Sequence, residues 1–203
     1  MSLPIIVLGA GGHARVVIDA LRAAKRRIVG VVDPKVKDGP FGIPALGGDE
    51  ALDRHAPGEV ELANGIGGTG ATGPRDEVFR RFGARGYRFV TIVHPSAVVS
   101  EFAELGEGAQ VMAGGVVQPG AAIGANTIVN TRASVDHDCK IGRSVHIAPG
   151  VTLSGTVTVG DGSHIGTGAC VIHGINIGRG CLVAAGAVVY RDLADGQRLV
   201  KAG

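Results

Sequence analysis

Aliphatic side chains recur at every sixth position from Val93 to Val189, without one break in phase. A second column, four residues further on, holds mostly small side chains, as at Ala97, Ala103 and Ala109. A period of six cannot stay in phase with a helical turn, so the pattern excludes a helix and is typical of a solenoid. It predicts a coil of short flat strands joined by corners. The aliphatic positions are Val93, Val99, Leu105, Val111, Val117, Ile123, Val129, Val135, Ile141, Ile147, Leu153, Val159, Ile165, Val171, Ile177, Val183 and Val189.

Glycine adds a second period of eighteen residues to this segment. It directly follows the aliphatic residue at Gly106, Gly124, Gly142, Gly160 and Gly178. Three repeats of six would then complete one turn of a triangular prism. The recurrence predicts a corner whose backbone conformation a Cβ disfavours. It also predicts that residues eighteen apart stack at the strand spacing, roughly 4.8 Å.

The segment before the repeat begins with a β-α-β pattern. Ile5–Leu8 is typical of a buried strand, residues 15–27 have helical spacing of apolar side chains, and Ile28–Val32 is a second strand. The first turn reads G-x-G-x-x-A from Gly9, and Asp33 closes the second strand. Glycines let a phosphate approach the free N–H groups at a helix start, and an acid in this place suits a ribose hydroxyl. The pattern therefore predicts a nucleotide site.

The remainder of this segment is short. We predict a helix over residues 48–55, a strand over 60–66, a helix over 75–82 and a last strand over 87–93, with a glycine-rich loop from Gly65 to Pro74. These elements are too few for a complete dinucleotide-binding fold, but half of one can hold a mononucleotide. We therefore expect a Rossmann-like half domain over residues 1–92 and a repeat domain over residues 93–203.

Composition narrows the function classes. The chain has 203 residues, 35 of them glycine, no tryptophan and only 3% aromatic side chains, which fits a narrow aliphatic core. The net charge of +2 gives no reason to expect nucleic-acid binding. Cys139 and Cys181 lie in the inward column and are expected to be buried thiols in a reducing compartment. No signal peptide and no membrane-length apolar run is visible, so we expect a cytoplasmic protein without membrane insertion.

Taken together, these motifs resemble a known family. The unbroken repeats resemble the left-handed parallel β-helix acyltransferases. With the GxGGHA turn, the strand ending VVD and the strand ending in Ile66-Gly67, the chain resembles the bacterial sugar-nucleotide N-acetyltransferases and, equally at this level, the sialic acid O-acetyltransferases. The resemblance implies an acetyl-CoA-dependent enzyme of surface glycan biosynthesis that acetylates the amino group of a UDP- or GDP-linked 4-amino-4-deoxy sugar. It also implies a homotrimer with acetyl-CoA bound between neighbouring prisms, and no metal.

The resemblance assigns the chemistry to the segment Asp136-His137-Asp138. From the residues alone, a histidine between two carboxylates could equally be a solvated corner. The family carries a histidine followed by an acid here, which implies that His137 is the general base and that Asp138 orients it. Imidazole titrates near neutral pH, as proton removal from a sugar ammonium requires. A carboxylate on the second ring nitrogen fixes the tautomer.

The eighteen-residue period places Gly155 next to His137, with His173 one turn further, and stacks His146 on His164. The Gly155 N–H could face a developing oxyanion. The resemblance places His146, Thr167 and Ala185, with Gly155, along acetyl-CoA, whereas His164 is expected at the surface. It also assigns the nucleotide-sugar site, in which Pro34 replaces a second acid found in some relatives. The members of that site are Gly11, Gly12, His13, Asp33, Pro34 and Gly67.

Three other functions remain open. The acceptor could be a hydroxyl of sialic acid or another sugar, since the same base would serve. The chain could bind a nucleotide sugar without catalysis, although the pair His137 and Asp138 argues against it. Zinc hydratases also occur on this prism, but they use two histidines five residues apart, and no histidine pair of the repeat has that spacing. The loop after Gly67 is also expected to be a few residues longer than in the family, which affects any base or sugar contact made there.

Overall fold

A computed structural model describes residues 2–68, 70 and 72–200. The N-terminal half contains a parallel three-stranded sheet of order β2-β1-β3, formed by β1 (Ile5–Leu8), β2 (Ile28–Val32) and β3 (Glu61–Asn64). Helix α1 (Gly12–Ala23) connects β1 to β2, and helix α2 (Gly73–Ala84) follows β3. No helix in the described ranges is long and apolar enough to cross a membrane.

The central strand β1 is buried on both sides, as its purely aliphatic sequence predicts. Ile5 and Val7 pack in one cluster with the apolar side of α1, while Ile6 and Leu8 pack in a second cluster that contains Phe82 of α2. The two clusters follow from the alternation of side chains along a strand. The sheet is thus covered by one helix on each side.

The last strand predicted for this half was wrong. The helix predicted over 48–55 forms as a 3₁₀-helix, Asp49–Arg54, but the strand predicted over 87–93 does not form in this sheet. The chain makes a single bridge between Leu62 and Phe89. It then leaves the sheet, because the Ile92 N–H donates to the Ala109 carbonyl of the repeat. The residues that suggested a fourth strand therefore connect the two halves.

From Ile92 onward the chain winds into a parallel β-helix, which confirms the predicted fold class, a Rossmann-like α/β half domain followed by the left-handed parallel β-helix of hexapeptide repeats. Each strand has two residues and pairs with the strand eighteen residues away, as in Ile128 with His146, except that the last pair, Leu182 with Arg198, is sixteen residues apart. The first face contains Ile92–Val93, Gln110–Val111, Ile128–Val129, His146–Ile147, His164–Ile165, Leu182–Val183 and Arg198–Leu199. The second contains Val98–Val99, Val116–Val117, Ser134–Val135, Thr152–Leu153, Cys170–Val171 and Val188–Val189. The third contains Glu104–Leu105, Ala122–Ile123, Lys140–Ile141, Thr158–Val159 and Asn176–Ile177.

The recurring glycines serve a different purpose from the one predicted. None of the five has a positive φ. A Cβ on Gly106 or Gly160 would instead lie 2.6 Å from a backbone nitrogen of the next coil. The left-handed conformation occurs two residues later, and there non-glycine residues such as Asn126 and Ser144 also adopt it, with φ of 59° and 53°. Close approach between coils, and not backbone strain, therefore requires these glycines.

The inward columns form the core of the repeat. Cys139 and Cys181 are buried free thiols, as predicted, whereas Cys170 is exposed. The N-terminal half packs on the first face through a buried polar network. Arg75, 1% exposed, donates to the carbonyl oxygens of Asn64, Ile66 and Asn126 at 3.0, 2.8 and 2.9 Å. These bonds satisfy carbonyls at the end of β3 and tie that end to the coil.

Candidate active site

The glycine-rich turn after β1 opens into a cavity of about 360 Å³. Gly9 has φ of +93°, so this position requires glycine. Gly11 and Gly12 are different, because a Cβ on either would meet no protein atom within 4 Å. Helix α1 begins at Gly12 without a side-chain cap and without an acid in its first turn. The first N–H groups of α1 are therefore open to an anion.

Gly11, Gly12, His13, Asp33, Pro34 and Gly67, the six residues predicted for the nucleotide-sugar site, all line this cavity. The Asp33 side chain also binds backbone N–H groups there. One carboxylate oxygen accepts the Ala10 N–H at 3.0 Å, and the other accepts the Lys35 N–H at 2.9 Å. Each oxygen keeps a second lone pair that a ribose hydroxyl could use. Asp33 thus fixes the glycine-rich turn at the end of β2.

His13 is neutral and has a defined tautomer. The Gln110 side-chain amide donates to the Asn64 carbonyl at 2.8 Å, so Gln110 Oε1 can only accept, and His13 Nε2 must donate to it at 2.8 Å. Burial, reinforced by the charge of Arg75, lowers the pKa of His13 to about 4. His13 therefore offers the cavity a hydrogen-bonding ring without positive charge.

The residues predicted for acetyl-CoA divide into two places. His146, Thr167 and Ala185 line one groove of about 390 Å³, together with Gly68 and His164. His146 Nδ1 donates to the Gly68 carbonyl at 2.7 Å, and its Nε2 accepts from the Asn130 side-chain amide at 3.0 Å. Burial and the neighbouring His164 lower the pKa of His146 to about 4. His146 is thus a neutral residue with both ring nitrogens in use.

His164 was expected to lie free at the surface, but it does not. It pairs in register with His146, as the period predicted, and the two rings meet edge to face with centroids 4.8 Å apart. Burial lowers the pKa of His164, and its Nδ1 has no partner among the described residues. The N-terminal half covers this part of the first face, which the sequence pattern did not reveal.

Gly155 lies apart from that groove, at the corner that holds His137. His137 is exposed, and its Nδ1 is 2.8 Å from Asp138 Oδ2. The hydrogen bond that Asp138 accepts from Nδ1 raises the pKa of His137. The Asp136 carboxylate accepts the His137 N–H at 2.8 Å. Because Nδ1 is bound to a carboxylate, Nε2 is left free to accept a proton in the neutral ring.

Gly155 determines where the His137 ring can lie. A Cβ on Gly155 would contact His137 Nε2 and lie 2.6 Å from Cε1. The eighteen-residue stacking of these two residues was predicted, and the His137 ring itself occupies the place that a side chain at position 155 would take. His173, one coil further, has its ring centroid 6.1 Å from that of His137.

Gly155→Ala should therefore lower kcat without unfolding the protein. The added methyl would displace the exposed imidazole, and an error of about 1 Å in a catalytic group can cost roughly 10²-fold in rate. Steady-state kinetics and a thermal melt would check this. Gly174→Ala is a poorer control, because Gly174 has a positive φ; Ser154→Ala, next to Gly155, is the better one. Equal activity in Gly155→Ala and wild type would contradict this account.

Apart from Asp138 and Gly155, the structure does not bring His137 to the other predicted residues of its own chain. His137 lies on the edge between the second and third faces, whereas Thr167 and Ala185 lie on the edge between the first and second. The N-terminal half packs against the first face, where Gln110 meets His13. The described contacts of His137 all lie within the repeat. One chain therefore holds the parts of a site on separate edges.

Several contacts escaped the sequence analysis. Gln110 and Asn130, which orient His13 and His146, occupy outward positions of the repeat that usually face solvent. Asp49 and Arg81 line the glycine-rich cavity, and their side chains lie 2.7 Å apart. Asp49 lies in the short 3₁₀-helix and Arg81 in a charge-rich helix, so neither had a sequence pattern that marked it as a site residue.

Comparison with known families assigns each half separately. The PglD N-terminal domain matches residues 4–82. Bacterial transferase hexapeptide repeats match residues 120–155, and the hexapeptide repeat of succinyl-transferase matches residues 156–191. Among curated proteins, UDP-N-acetylbacillosamine N-acetyltransferase from Bacillus subtilis is 37% identical over 114 residues, which cover 54% of this chain and 51% of that protein. The match thus spans about half the length of that relative.

Two solved structures match over nearly the whole chain. The acetyltransferase domain of PglB from Neisseria gonorrhoeae, in complex with acetyl coenzyme A, is 35% identical with a TM-score of 0.92, covering 98% of this chain and 96% of that one. A histidine-to-asparagine mutant of perosamine N-acetyltransferase from Caulobacter crescentus, in complex with CoA and GDP-perosamine, is 38% identical with a TM-score of 0.90, covering 98% and 93%. With both halves matched and the fold shared throughout, the chain belongs to the hexapeptide-repeat acetyltransferase family that carries a PglD N-terminal domain.

Proposed function

We propose that this protein transfers the acetyl group of acetyl-CoA to the amino group of a nucleotide-linked 4-amino-4-deoxy sugar, in bacterial surface glycan biosynthesis. The observation that carries the proposal is the His137 corner. Its Nδ1 is bound to Asp138, its Nε2 has no hydrogen-bond partner among the described residues, and the missing Cβ of Gly155 lets the ring lie against the next coil. Relatives that match nearly the whole chain are an acetyl-CoA-bound acetyltransferase domain and an N-acetyltransferase with CoA and GDP-perosamine.

In the proposed reaction, the sugar amine attacks the thioester carbonyl. His137 Nε2 takes the proton that the amine loses, and Asp138 stabilises the resulting imidazolium. The tetrahedral intermediate collapses, the bond from carbon to sulfur breaks, and the CoA thiolate leaves and takes up a proton. Among the described residues no backbone carbonyl accepts the Gly155 N–H, so we assign it to the oxyanion. His146, Thr167 and Ala185 line the groove assigned to acetyl-CoA.

The nucleotide is assigned to the glycine-rich cavity. The N–H groups at the start of α1 would bind its phosphates, and the second lone pairs of Asp33 would bind the ribose. Pro34, Gly67 and the neutral ring of His13 complete this cavity. The sugar would extend from this cavity toward a His137 residue.

That His137 residue is assigned to a neighbouring chain. Because His137 lies on another edge of the prism than the groove and the nucleotide cavity, one chain alone leaves the reacting groups apart. A homotrimer with sites between neighbouring prisms would bring them together. Light scattering should therefore give three times the mass of one chain at micromolar concentration. A monomer at that concentration would contradict the assembly.

The pH dependence of kcat/KM should report on His137. The hydrogen bond to Asp138 raises the pKa of His137 above the ordinary histidine value of 6.5. A general base must be neutral, so activity should fall as the pH drops through this raised pKa. Asp138→Asn removes the largest cause of the shift and should move the acidic limb to lower pH. The titration of the substrate amine is common to both enzymes, so the difference between their profiles isolates His137. Superimposable profiles would contradict the role of the pair.

Activity itself can be tested directly. The protein is incubated with acetyl-CoA and a UDP- or GDP-linked 4-amino sugar, and CoA thiol release is followed, with the product identified by mass spectrometry. Acetylated amino sugar is expected from wild type, and very little from His137→Ala. Sialic acid is the parallel acceptor. Turnover of sialic acid without turnover of any amino sugar would establish O-acetylation instead.

A further inference from the structure

Arg81 in helix α2 and Arg85 at the C-cap of that helix have similar surroundings. Arg81 Nη2 lies 2.7 Å from Asp49, and Arg85 Nη2 lies 2.7 Å from Asp53. Both guanidinium groups lie over the ring of Phe82, at 4.8 and 5.3 Å from its centroid. Both acids come from the 3₁₀-helix Asp49–Arg54. Two such half-exposed ion pairs would contribute little to stability and about equally.

The two pairs differ in position. Arg81 and Asp49 line the glycine-rich cavity, together with Gly11, Gly12 and Asp33, whereas Arg85 and Asp53 do not. Among the described residues that line the cavity, Arg81 is the one arginine, and no lysine lines it. His13 adds no charge there, because burial keeps its pKa near 4. The carboxylates of Asp33 and Asp49 make the remaining charge of the cavity negative.

Without Arg81, the charged side chains that line the cavity would therefore be unfavourable for the negative charge of a nucleoside diphosphate. The N–H groups at the start of α1 can bind phosphate oxygens, but two carboxylates of the same cavity repel them. A guanidinium group matches phosphate oxygens with two parallel donors, which an isolated N–H does not. Arg81 is the side chain whose charge and geometry fit this need, and Asp49 with the Phe82 ring holds it in place.

We infer that Arg81 is the diphosphate-binding residue of the nucleotide-sugar site, opposite the turn at Gly11 and Gly12. The inference rests on the proposed function, because it assigns the ligand of the same cavity. It distinguishes Arg81 from Arg85, although the sequence places both in one charged helix face. The alternative role for Arg81, contact with the nucleobase, becomes an outcome of the test.

The test compares Arg81→Gln with the matched control Arg85→Gln. UDP, GDP and dTDP are titrated into wild type by calorimetry. The diphosphate that binds most tightly is then titrated into each variant. Binding of its own nucleoside is measured by NMR titration at millimolar concentration. Loss of a charged hydrogen-bond donor should weaken diphosphate binding about 10- to 100-fold in Arg81→Gln. Nucleoside binding should change less than about threefold, and Arg85→Gln should leave both affinities near wild type. Arg81→Lys should recover part of the diphosphate affinity because it keeps the charge.

The outcomes separate the two proposals. If wild type binds none of the three diphosphates, the proposed function fails and this inference fails with it. If wild type binds one, but Arg81→Gln and Arg85→Gln weaken it equally, only the inference is overturned. An equal loss of nucleoside and diphosphate affinity in Arg81→Gln overturns it too, because Arg81 would then contact the base. Thermal melts of both variants show whether they are folded, which their half-exposed positions favour.

Discussion

Replacing His137 by alanine is expected to lower kcat by roughly 10²- to 10⁴-fold, the usual contribution of a general base. The affinity for the nucleotide sugar should stay nearly unchanged, because the cavity that we assign to it lies in the N-terminal half. Steady-state kinetics gives the first quantity and calorimetric titration the second. The variant should fold normally, since the His137 side chain is exposed and makes its side-chain contact with the neighbouring Asp138.

The flanking acids provide graded controls. Asp138→Asn should cost less than His137→Ala, because the imidazole remains and loses only its charged partner. Asp136→Asn should be mild, because an asparagine oxygen can still accept the His137 N–H that Asp136 accepts now. If His137→Ala retains wild-type activity, the amine loses its proton to water and the site acts by proximity alone.

Replacing Arg75 by methionine is expected to lower the free energy of unfolding by about 2–4 kcal/mol, from roughly 1–3 kcal/mol for each buried acceptor left unpaired. The carbonyls of Ile66 and Asn126 would each lose the bond from Arg75, whereas Asn64 keeps the bond from Gln110. Removal of a buried charge offsets part of the loss, because burial lowers the pKa of Arg75 to about 9. Urea denaturation measures the change.

Arg80→Met is the matched control on the same helix. Arg80 is 65% exposed and pairs with Asp76 at 2.7 Å, so its loss should cost at most about 1 kcal/mol. Arg75→Lys should fall between the two, because an ammonium group cannot reach all three carbonyls in the geometry of a guanidinium fork. Equal midpoints for Arg75→Met and Arg80→Met would mean that the buried network adds no stability.

The repeat could be predicted because one physical requirement repeats along it. Every inward position needs an aliphatic or small side chain, so the period of six identifies the core residues. Three such periods make eighteen residues, and this spacing identifies the residues that stack on adjacent coils. That is why the contacts of His137 with Gly155 and of His146 with His164 followed from counting. The cavity residues followed from a motif that links a strand, a glycine-rich turn and a helix start.

What the sequence could not supply depends on contacts between distant segments. Gln110 and Asn126 occupy outward positions, yet they are 1% and 0% exposed because the N-terminal half covers them. Nothing in the period says which face is covered. Tyr87 and Phe89 have the side chains of a strand, but their chain must leave the sheet to reach the repeat. The positions of the glycines that follow the aliphatic residues could be recognised in the sequence. The reason why glycine is required there is the close approach of the next coil, and the sequence does not give distances between coils.

The pairing of each strand with the one eighteen residues away also limits how the length of this chain can change during evolution. Loss of one whole coil leaves every later residue on its own face. Loss of six residues would keep every aliphatic side chain inward and the core intact, but it would rotate all later residues by one face. If that loss fell between His137 and Thr167, the shortened protein would fold with Thr167 on the edge between the third and first faces instead of the edge between the first and second. A stable fold and an assembled site are therefore separate requirements on this sequence. Selection for folding alone would preserve the fold but not the site.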